Sequence, residues 1–334
     1  MPIAYDVLGI GNALLDIIAQ VPDNMLETIA IPKGAMSLAD EKRAKQIYQF
    51  LPPGITTSGG SVGNTMAGLS MLGARAAFVG RVADDEFARL FHHDMQSVGV
   101  EFLRSAQKEK PGATTGHCLV MVTPDKERTM ATCLGVSALL AMDNIPQHEI
   151  GKADILYLEG YLFDNPTNME AYELAAQIAH TAGRRVAFSL SDVFCIERHR
   201  KEMLDFIAKY VDILFGNVGE IMALGETNDH NLAISQALGK TAMVCCTFGE
   251  KGAGVYTDLE KVELPAIQPA QLVDLTGAGD QFAAGFLYGV AKKWSLTNSC
   301  SLGINLASHV IAKYGGRPDL LYAQDLLKGG SNSA

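Results

Sequence analysis

The chain has 334 residues, 48% of them hydrophobic, a mean hydropathy of +0.12, a net charge of −10 and an isoelectric point near 5.3. This is enough for one large core or two unequal ones. The acidic balance and the scattered Lys and Arg argue against a nucleic-acid or membrane-surface partner, and no apolar run approaches the roughly 18 residues of a membrane span.

Six cysteines occur, Cys118, Cys133, Cys195, Cys245, Cys246 and Cys300. None sits in a C-x-x-C pair, which removes the zinc and disulfide-framework readings and leaves thiols buried in a reducing compartment. The opening Met1-Pro2-Ile3-Ala4-Tyr5-Asp6 has no basic region before its apolar run. The expectation is therefore a cytoplasmic protein with no signal peptide.

In chain order, residues 5–12 read as a short buried strand ending in Gly9-Ile10-Gly11. The third glycine of a dinucleotide fingerprint would fall on Leu14, so that fingerprint is incomplete. Residues 12–19 read as a second strand with Asn12 and Asp16 on one face, as loop-edge residues or as binders of hydroxyl groups. A turn at 33–36 leads into a short strand, and 40–50 is a helix. Gly59-Gly60-Ser61-Val62-Gly63-Asn64 precedes a helix to residue 72, whose small and apolar residues suit a buried position. Gly59 and Gly60 let a ligand approach the backbone. Asn64, at the helix start, is either a ligand contact or a cap.

Residues 76–81 form a strand and 84–99 a helix. Between 102 and 134 the pattern is that of a β-hairpin, 117–122 and 128–132 about Pro124-Asp125. With the strands near 14–20 and 35 it would form a small sheet apart from the main body. After 150, strands at 155–158, 186–189, 213–215 and 242–246 alternate with helices near 167–182, 197–209, 218–224 and 230–239. Such alternation predicts a parallel sheet with helices on both faces. Ligands bind beyond the carboxyl ends of such strands. Asn12, Glu159-Gly160, Ser191-Asp192, Gly216-Asn217, Thr247-Phe248-Gly249 and the turn at Gly277 all fall there.

The most informative stretch is Asp274-Leu275-Thr276-Gly277-Ala278-Gly279-Asp280, read as a strand end at 271–273, a bare loop, and a helix over 281–294. The free N–H groups and the dipole at a helix start receive anions, phosphate above all. A carboxylate beside such a hole would repel the anion. Asp280 therefore fits a general base that takes a hydroxyl proton while the adjacent amides hold the developing charge. An ordinary N-cap is the plain alternative; the clustering of polar residues at strand ends favours chemistry.

Together these residues resemble the ribokinase-like, PfkB-type carbohydrate kinases. Gly59-Gly60 to Asn64, running on to Gly80-x-Val82-x-Asp84-Asp85, is similar to the N-terminal signature of that family. Asn217-Val218-Gly219-Glu220 resembles its N-x-x-E motif. The stretch from Asp274 through Asp280 to Phe282 and Gly285 is similar to its C-terminal signature. Gly11-Asn12-x-Leu14-Leu15-Asp16 looks most like adenosine kinase members.

The resemblance implies a Rossmann-like α/β domain over 1–328 with a small β-sheet lid from segments about 14–40 and 102–134; the terminal residues 329–334 read as a disordered tail. It implies transfer of the ATP γ-phosphoryl group to a primary hydroxyl. Asp280 would be the base, and Gly277, Ala278 and Gly279 the anion hole. Asn12, Asp16, Gly59, Gly60 and Asn64 would hold the substrate. Asn217 and Glu220 would organise Mg²⁺ through water, and Thr247, Gly249 and Asn305 would lie near ATP. Asp274 and Thr276 match positions of a monovalent cation site, K⁺ in particular. No Walker A loop is present, which excludes the P-loop fold but not kinase chemistry.

The expected acceptor is the 5′-hydroxyl of a nucleoside, adenosine first. A sugar such as ribose or fructose is the alternative, and a non-catalytic nucleotide- or sugar-binding regulator the alternative of another class. Leu14, Met36, Leu119, Met121, Leu134 and Phe163 are candidate walls for a base. The edges of a lid sheet allow either a monomer or a homodimer.

Overall fold

Every second residue of Tyr5–Ile10 (β1) faces a different core: Val7 packs into one apolar cluster, Leu8 and Ile10 into another. That is the signature of a strand covered on both faces, and it explains the unbroken apolar run. The computed structural model describes residues 2–104 and 112–330. After β1 come β2 (Leu14–Gln20), α1 (Asp23–Thr28), β3 (Met36–Leu38), α2 (Glu41–Tyr48), β4 (Ile55–Gly59), α3 (Ser61–Met71), β5 (Ala76–Gly80), α4 (Glu86–Ser97) and β6 (Glu101–Arg104). The hairpin β7 (His117–Val122) and β8 (Arg128–Cys133) leads through α5 (Gln147–Ile150) to β9 (Ala153–Glu159), α6 (Pro166–Thr181), β10 (Arg185–Ser189) and α7 (Val193–Tyr210). The chain closes with β11 (Ile213–Asn217), α8 (Val218–Gly225), α9 (His230–Leu238), β12 (Met243–Thr247), β13 (Ala253–Tyr256), β14 (Lys261–Leu264), α10 (Ala278–Ala291), α11 (Leu296–Val310) and α12 (Leu320–Gly330).

The large sheet has the order β14-β13-β12-β11-β10-β9-β1-β5-β6. It is parallel from β12 to β6, and the β13–β14 edge is antiparallel. One face packs α3 and α10, through Phe282 and Phe286 against Phe215. The other packs α6 and α7, through Tyr172 and Phe206 around Phe163 and Phe188. The expected α/β architecture with helices on both faces is the observed one.

A second sheet has the order β3-β8-β7-β2-β4. The hairpin, β2 and β3 belong to it as expected. Four features differ from the sequence reading. The strand β4 joins this sheet, whereas its Thr-Thr-Ser run carries no apolar alternation to announce a strand. Residues 102–104, assigned above to the hairpin region, lie in β6 at the edge of the large sheet. Residues 271–273 form no strand: the Val273 and Asp274 amides both reach the single carbonyl of Ile311, and Leu272 is exposed. Finally, α12 runs to Gly330, two residues past the predicted end of the fold; 331–334 lie outside the described residues.

Candidate active site

Because these strands are parallel, their carboxyl ends form one row. Register fixes it: Ile10 opposite Leu158, Glu159 opposite Ser189, and Asn217 opposite Thr247. The first turn of α10 comes to this row from one side and the small sheet from another.

Asp280 is half-buried in that first turn. Its Oδ1 accepts a hydrogen bond from Ser61 Oγ at 2.7 Å, and its Oδ2 accepts one from Asn64 Nδ2 at 3.0 Å. Both donors lie in the first turn of α3, so two helix starts face each other. Neither carboxylate oxygen caps its own helix: the N-cap is Gly277, which has no side-chain cap bond. The plain N-cap reading of Asp280 is thereby replaced, and Asn64 likewise turns its amide to Asp280 rather than capping α3. Burial pushes the Asp280 carboxyl up to about 6, against the pull of the Ser61 and Asn64 bonds. A base that titrates near 6 is ionised at neutral pH yet still takes up a proton readily.

Gly277 has φ +78°, and a Cβ there would sit 2.4 Å from Gly316 Cα. Only glycine fits both the left-handed backbone and the contact. Gly279, by contrast, is exposed, and a Cβ on it would meet nothing within 4 Å. Of the turn's amides, that of Ala278 donates to the Leu275 carbonyl at 3.3 Å, while the exposed Gly279 lies at a helix start of the kind that receives anions.

The small sheet supplies the opposite wall. Asp16 on β2 is half-buried; a Cβ on Gly59 would lie 2.4 Å from its Oδ2. Gly60 has φ +82°, and a Cβ there would lie 2.3 Å from the Asn12 carbonyl oxygen. Asn12, Asp16, Gly59, Gly60, Asn64 and Asp280 thus lie in one region of the molecule. Burial raises the Asp16 carboxyl to about 6; Arg317 and Arg128 pull it down, and Asp280 pushes it up. The buried Asn12 Oδ1 has no partner, an acceptor in want of a donor.

The apolar wall needs a correction. Asp16 pairs with Cys118, and paired residues share a sheet face. Leu119 and Met121 therefore point away, into the core with Leu15 and Ile17. The residues on Asp16's face include Leu14, Ile18, Met36, Cys118, Val120, Met130 and Thr132. Phe163 is buried behind the large sheet, whereas Met36 pairs with Met130 on Asp16's face and is 58% exposed on the edge strand. Leu14 and Leu134 remain half-buried near the hairpin.

Asn217 and Glu220 form a reciprocal capping box at the start of α8. Glu220 Oε2 accepts from the Asn217 amide at 2.9 Å and Oε1 from Asn217 Nδ2 at 2.6 Å. Part of the motif is thus ordinary capping. Burial still raises Glu220 to about 7, with Asp192 and Asp280 adding to it. The acidic charge gathered at the strand ends suits a hard cation that keeps its waters. Thr247 ends β12 and Gly249 follows with φ +60°. Asn305 sits on α11, and its Nδ2 donates to the Ser301 carbonyl one turn back at 2.8 Å, an amide bonded within its own helix.

The monovalent cation reading of Asp274 and Thr276 does not fit. Asp274 Oδ1 accepts from the Thr276 amide at 3.0 Å and Thr276 Oγ1 at 2.7 Å; Oδ2 accepts from the Gly315 amide at 3.1 Å and from Arg128 Nη1. Two bonds to each oxygen fill the lone pairs of the carboxylate, and the positive charge is already supplied by Arg128.

Arg128, Arg317, Ser61, Glu159 and Gln281 were missing from the sequence-derived site. Glu159 is fully buried: its Oε1 accepts from the Asn12 amide and Nδ2, both at 2.9 Å, and its Oε2 from the Val62 amide at 3.0 Å. Burial raises it to about 7. Arg317 Nη1 donates to Asp94 Oδ2 at 2.7 Å, and Nη2 donates to Ser58, just behind Gly59. Only Glu159 and Ser61 left a signal, as a strand-end carboxylate and a hydroxyl beside the paired glycines.

Residues 55–321 match the model of the pfkB family carbohydrate kinases. The structure is similar to that of adenosine kinase from Sinorhizobium meliloti, at 40% identity and TM-score 0.87, covering 98% of this chain and 99% of that one. It is equally similar to a probable sugar kinase from Rhizobium etli, at 37% identity and TM-score 0.87, covering 98% of each chain. Among curated proteins, 5-dehydro-2-deoxygluconokinase of Geobacillus thermodenitrificans is 26% identical over 302 residues, 86% of this chain and 88% of that protein. A family match over most of the chain, on a fold that brings both helix starts to the strand ends, makes this protein a member of the pfkB family of carbohydrate kinases, a phosphotransferase with an alcohol acceptor.

Proposed function

We propose that the protein transfers the γ-phosphoryl group of ATP to the primary 5′-hydroxyl of a nucleoside, most specifically adenosine. The observation that carries this is the position of Asp280, bound by Ser61 and Asn64, beside the exposed helix start and across from Asp16. Asp280 takes the hydroxyl proton. The amides of Gly277, Ala278 and Gly279 face the charge on the phosphoryl group, where preorganised donors act most strongly. Asp16 and the free Asn12 Oδ1 accept hydrogen bonds from sugar hydroxyls. Thr247 and Gly249 border the nucleotide, and Asn305 lies toward its base.

Mg²⁺ fits the donor set of Glu220 with Asn217, held through water; bound there, it would neutralise phosphate charge. The Asp274 and Thr276 pair takes no K⁺ in this reading. The small sheet acts as a lid that excludes water. The buried free thiols accord with a reducing, cytoplasmic compartment, and a place in purine salvage follows from the adenosine assignment alone.

Two observations favour a nucleoside over a bare sugar. The Asp16 face of the small sheet is apolar, with Ile18, Cys118, Val120 and Met130 ready to cover a base. The Sinorhizobium meliloti adenosine kinase shares 40% identity with this chain. The rival is a sugar kinase, supported by the names of the Geobacillus and Rhizobium relatives and by the two guanidinium groups acting on Asp16.

A panel of adenosine, other nucleosides, ribose, fructose and 5-dehydro-2-deoxygluconate, followed by ATP consumption and phosphorus NMR of the product, tests this. Adenosine is expected to give the highest kcat/KM by at least about 100-fold, since a site built to pair a hydroxyl and cover a base rejects analogues lacking either. Faster phosphorylation of any sugar removes the nucleoside assignment.

A further inference from the structure

Gln281 follows Asp280 in the first turn of α10 and is fully buried among Phe282, Ala283 and Ala284. A polar amide in such a place costs free energy unless it is bonded. Its two Nε2 donors are used on two different segments, the Asn64 carbonyl of α3 at 3.0 Å and the Gly316 carbonyl at 2.8 Å. Its Oε1 has no partner, so the side chain is kept at some expense.

The segments it joins already touch. A Cβ on Gly277 would meet Gly316 Cα at 2.4 Å, and a Cβ on Gly316 would meet Asn64 Nδ2 at 2.8 Å. The anion-hole turn, the Gly316 loop and the Asn64 turn therefore form one close-packed triangle, with Gln281 stitching its interior. Space for the amide is reserved on α3, where a Cβ on Gly68 would lie 2.1 Å from Gln281 Oε1.

We infer that Gln281 is a positioning residue for phosphoryl transfer: it holds the Asn64 turn and the Gly316 loop in register with the α10 start, so that Asn64 stays on Asp280 Oδ2 while the anion hole keeps its place. Gln281 touches no reacting atom and acts through Asn64 and Gly316. The inference rests on the base assignment of Asp280. Misplacing a catalytic group by an ångström is enough to cost turnover heavily without much change in ground-state binding.

The test measures kcat, KM for ATP and acceptor, and pH profiles from 5 to 9 for the native enzyme, Gln281→Met, Gly68→Ala and Asp280→Asn, each with its melting temperature. Gln281→Met removes both donors at similar volume. Gly68→Ala leaves Gln281 chemically intact, crowds its amide and improves helix propensity, so it is read by the same criteria should the Met variant not fold. Both are expected to lower kcat at least tenfold, leave KM for ATP within about twofold, and move the acidic limb of kcat/KM to higher pH as Asp280 loses its Asn64 bond. Asp16, Glu159, Glu220, Tyr157 and Tyr161 also feel the Asp280 charge, and neither substitution touches them directly. Native kcat and an unmoved acidic limb in the folded variants overturn the proposal, as does a lower melting temperature with no kinetic change. Native turnover in Asp280→Asn instead removes the base assignment itself.

Discussion

At the residue scale the proposed function turns on Asp280. Its carboxyl is raised to about 6 by burial, so as a base it would work in the ionised form above that value. The sign follows: kcat/KM should fall tenfold per pH unit below about 6 and level off above it. Asp280→Asn removes the base at constant shape, and turnover should drop by roughly 100-fold or more. A steady-state assay of the variant at pH 7.5 checks this, and near-native turnover refutes the role. Asp280 was legible in the sequence because Gly277-Ala278-Gly279-Asp280 states its own local geometry. Its partner Ser61, 219 positions away, was not, since no local pattern encodes which hydroxyl a carboxylate will meet.

At the element scale the start of α10 depends on Gly277. With φ +78° and Gly316 packed against it, alanine there meets both backbone strain and a backbone contact. Left-handed backbone alone costs a non-glycine residue about 1–2 kcal/mol. Gly277→Ala should therefore lose at least that much stability in urea denaturation, and lose turnover as the anion-hole amides shift. Unchanged stability would show that the turn does not need its present shape. The helix after this turn was predicted; the strand before it was not found, because residues 271–273 have no neighbouring strand to pair with. Period-2 alternation was equally blind to which face of β7 is shared with Asp16. Leu119 and Cys118 are both buried, and only the pairing of Asp16 with Cys118 separates the core face from the Asp16 face.

At the scale of the whole molecule, Arg128 at the start of β8 ties the small sheet to the loop before α10. It is bound to Asp274 and to Thr276, with Nη1 3.0 Å from Thr276 Oγ1. The pair is mostly buried, with side-chain exposures of 15% and 6%, so cutting it leaves Asp274 without its counter-charge. Arg128→Ala should loosen the hairpin, with backbone amides of 117–133 exchanging about tenfold faster in hydrogen–deuterium exchange, equivalent to ~1.4 kcal/mol. Equal exchange rates would show that the small sheet is held by its other contacts.

The sequence by itself determined the alternation of strands and helices after residue 150, the hairpin, and the glycine-marked turns around Gly60 and Gly277. Each is written in near neighbours: periodicity, turn residues and missing side chains act over a few positions. Only the tertiary structure decided that Asp280 faces Ser61 and Asn64, that Glu159 holds Asn12 and the α3 start, and that Arg128 fills the place expected for a cation. These contacts join positions from 97 to 219 residues apart in the chain. They exist because parallel strands gather their carboxyl ends on one edge, and linear order does not say which side chains arrive there together.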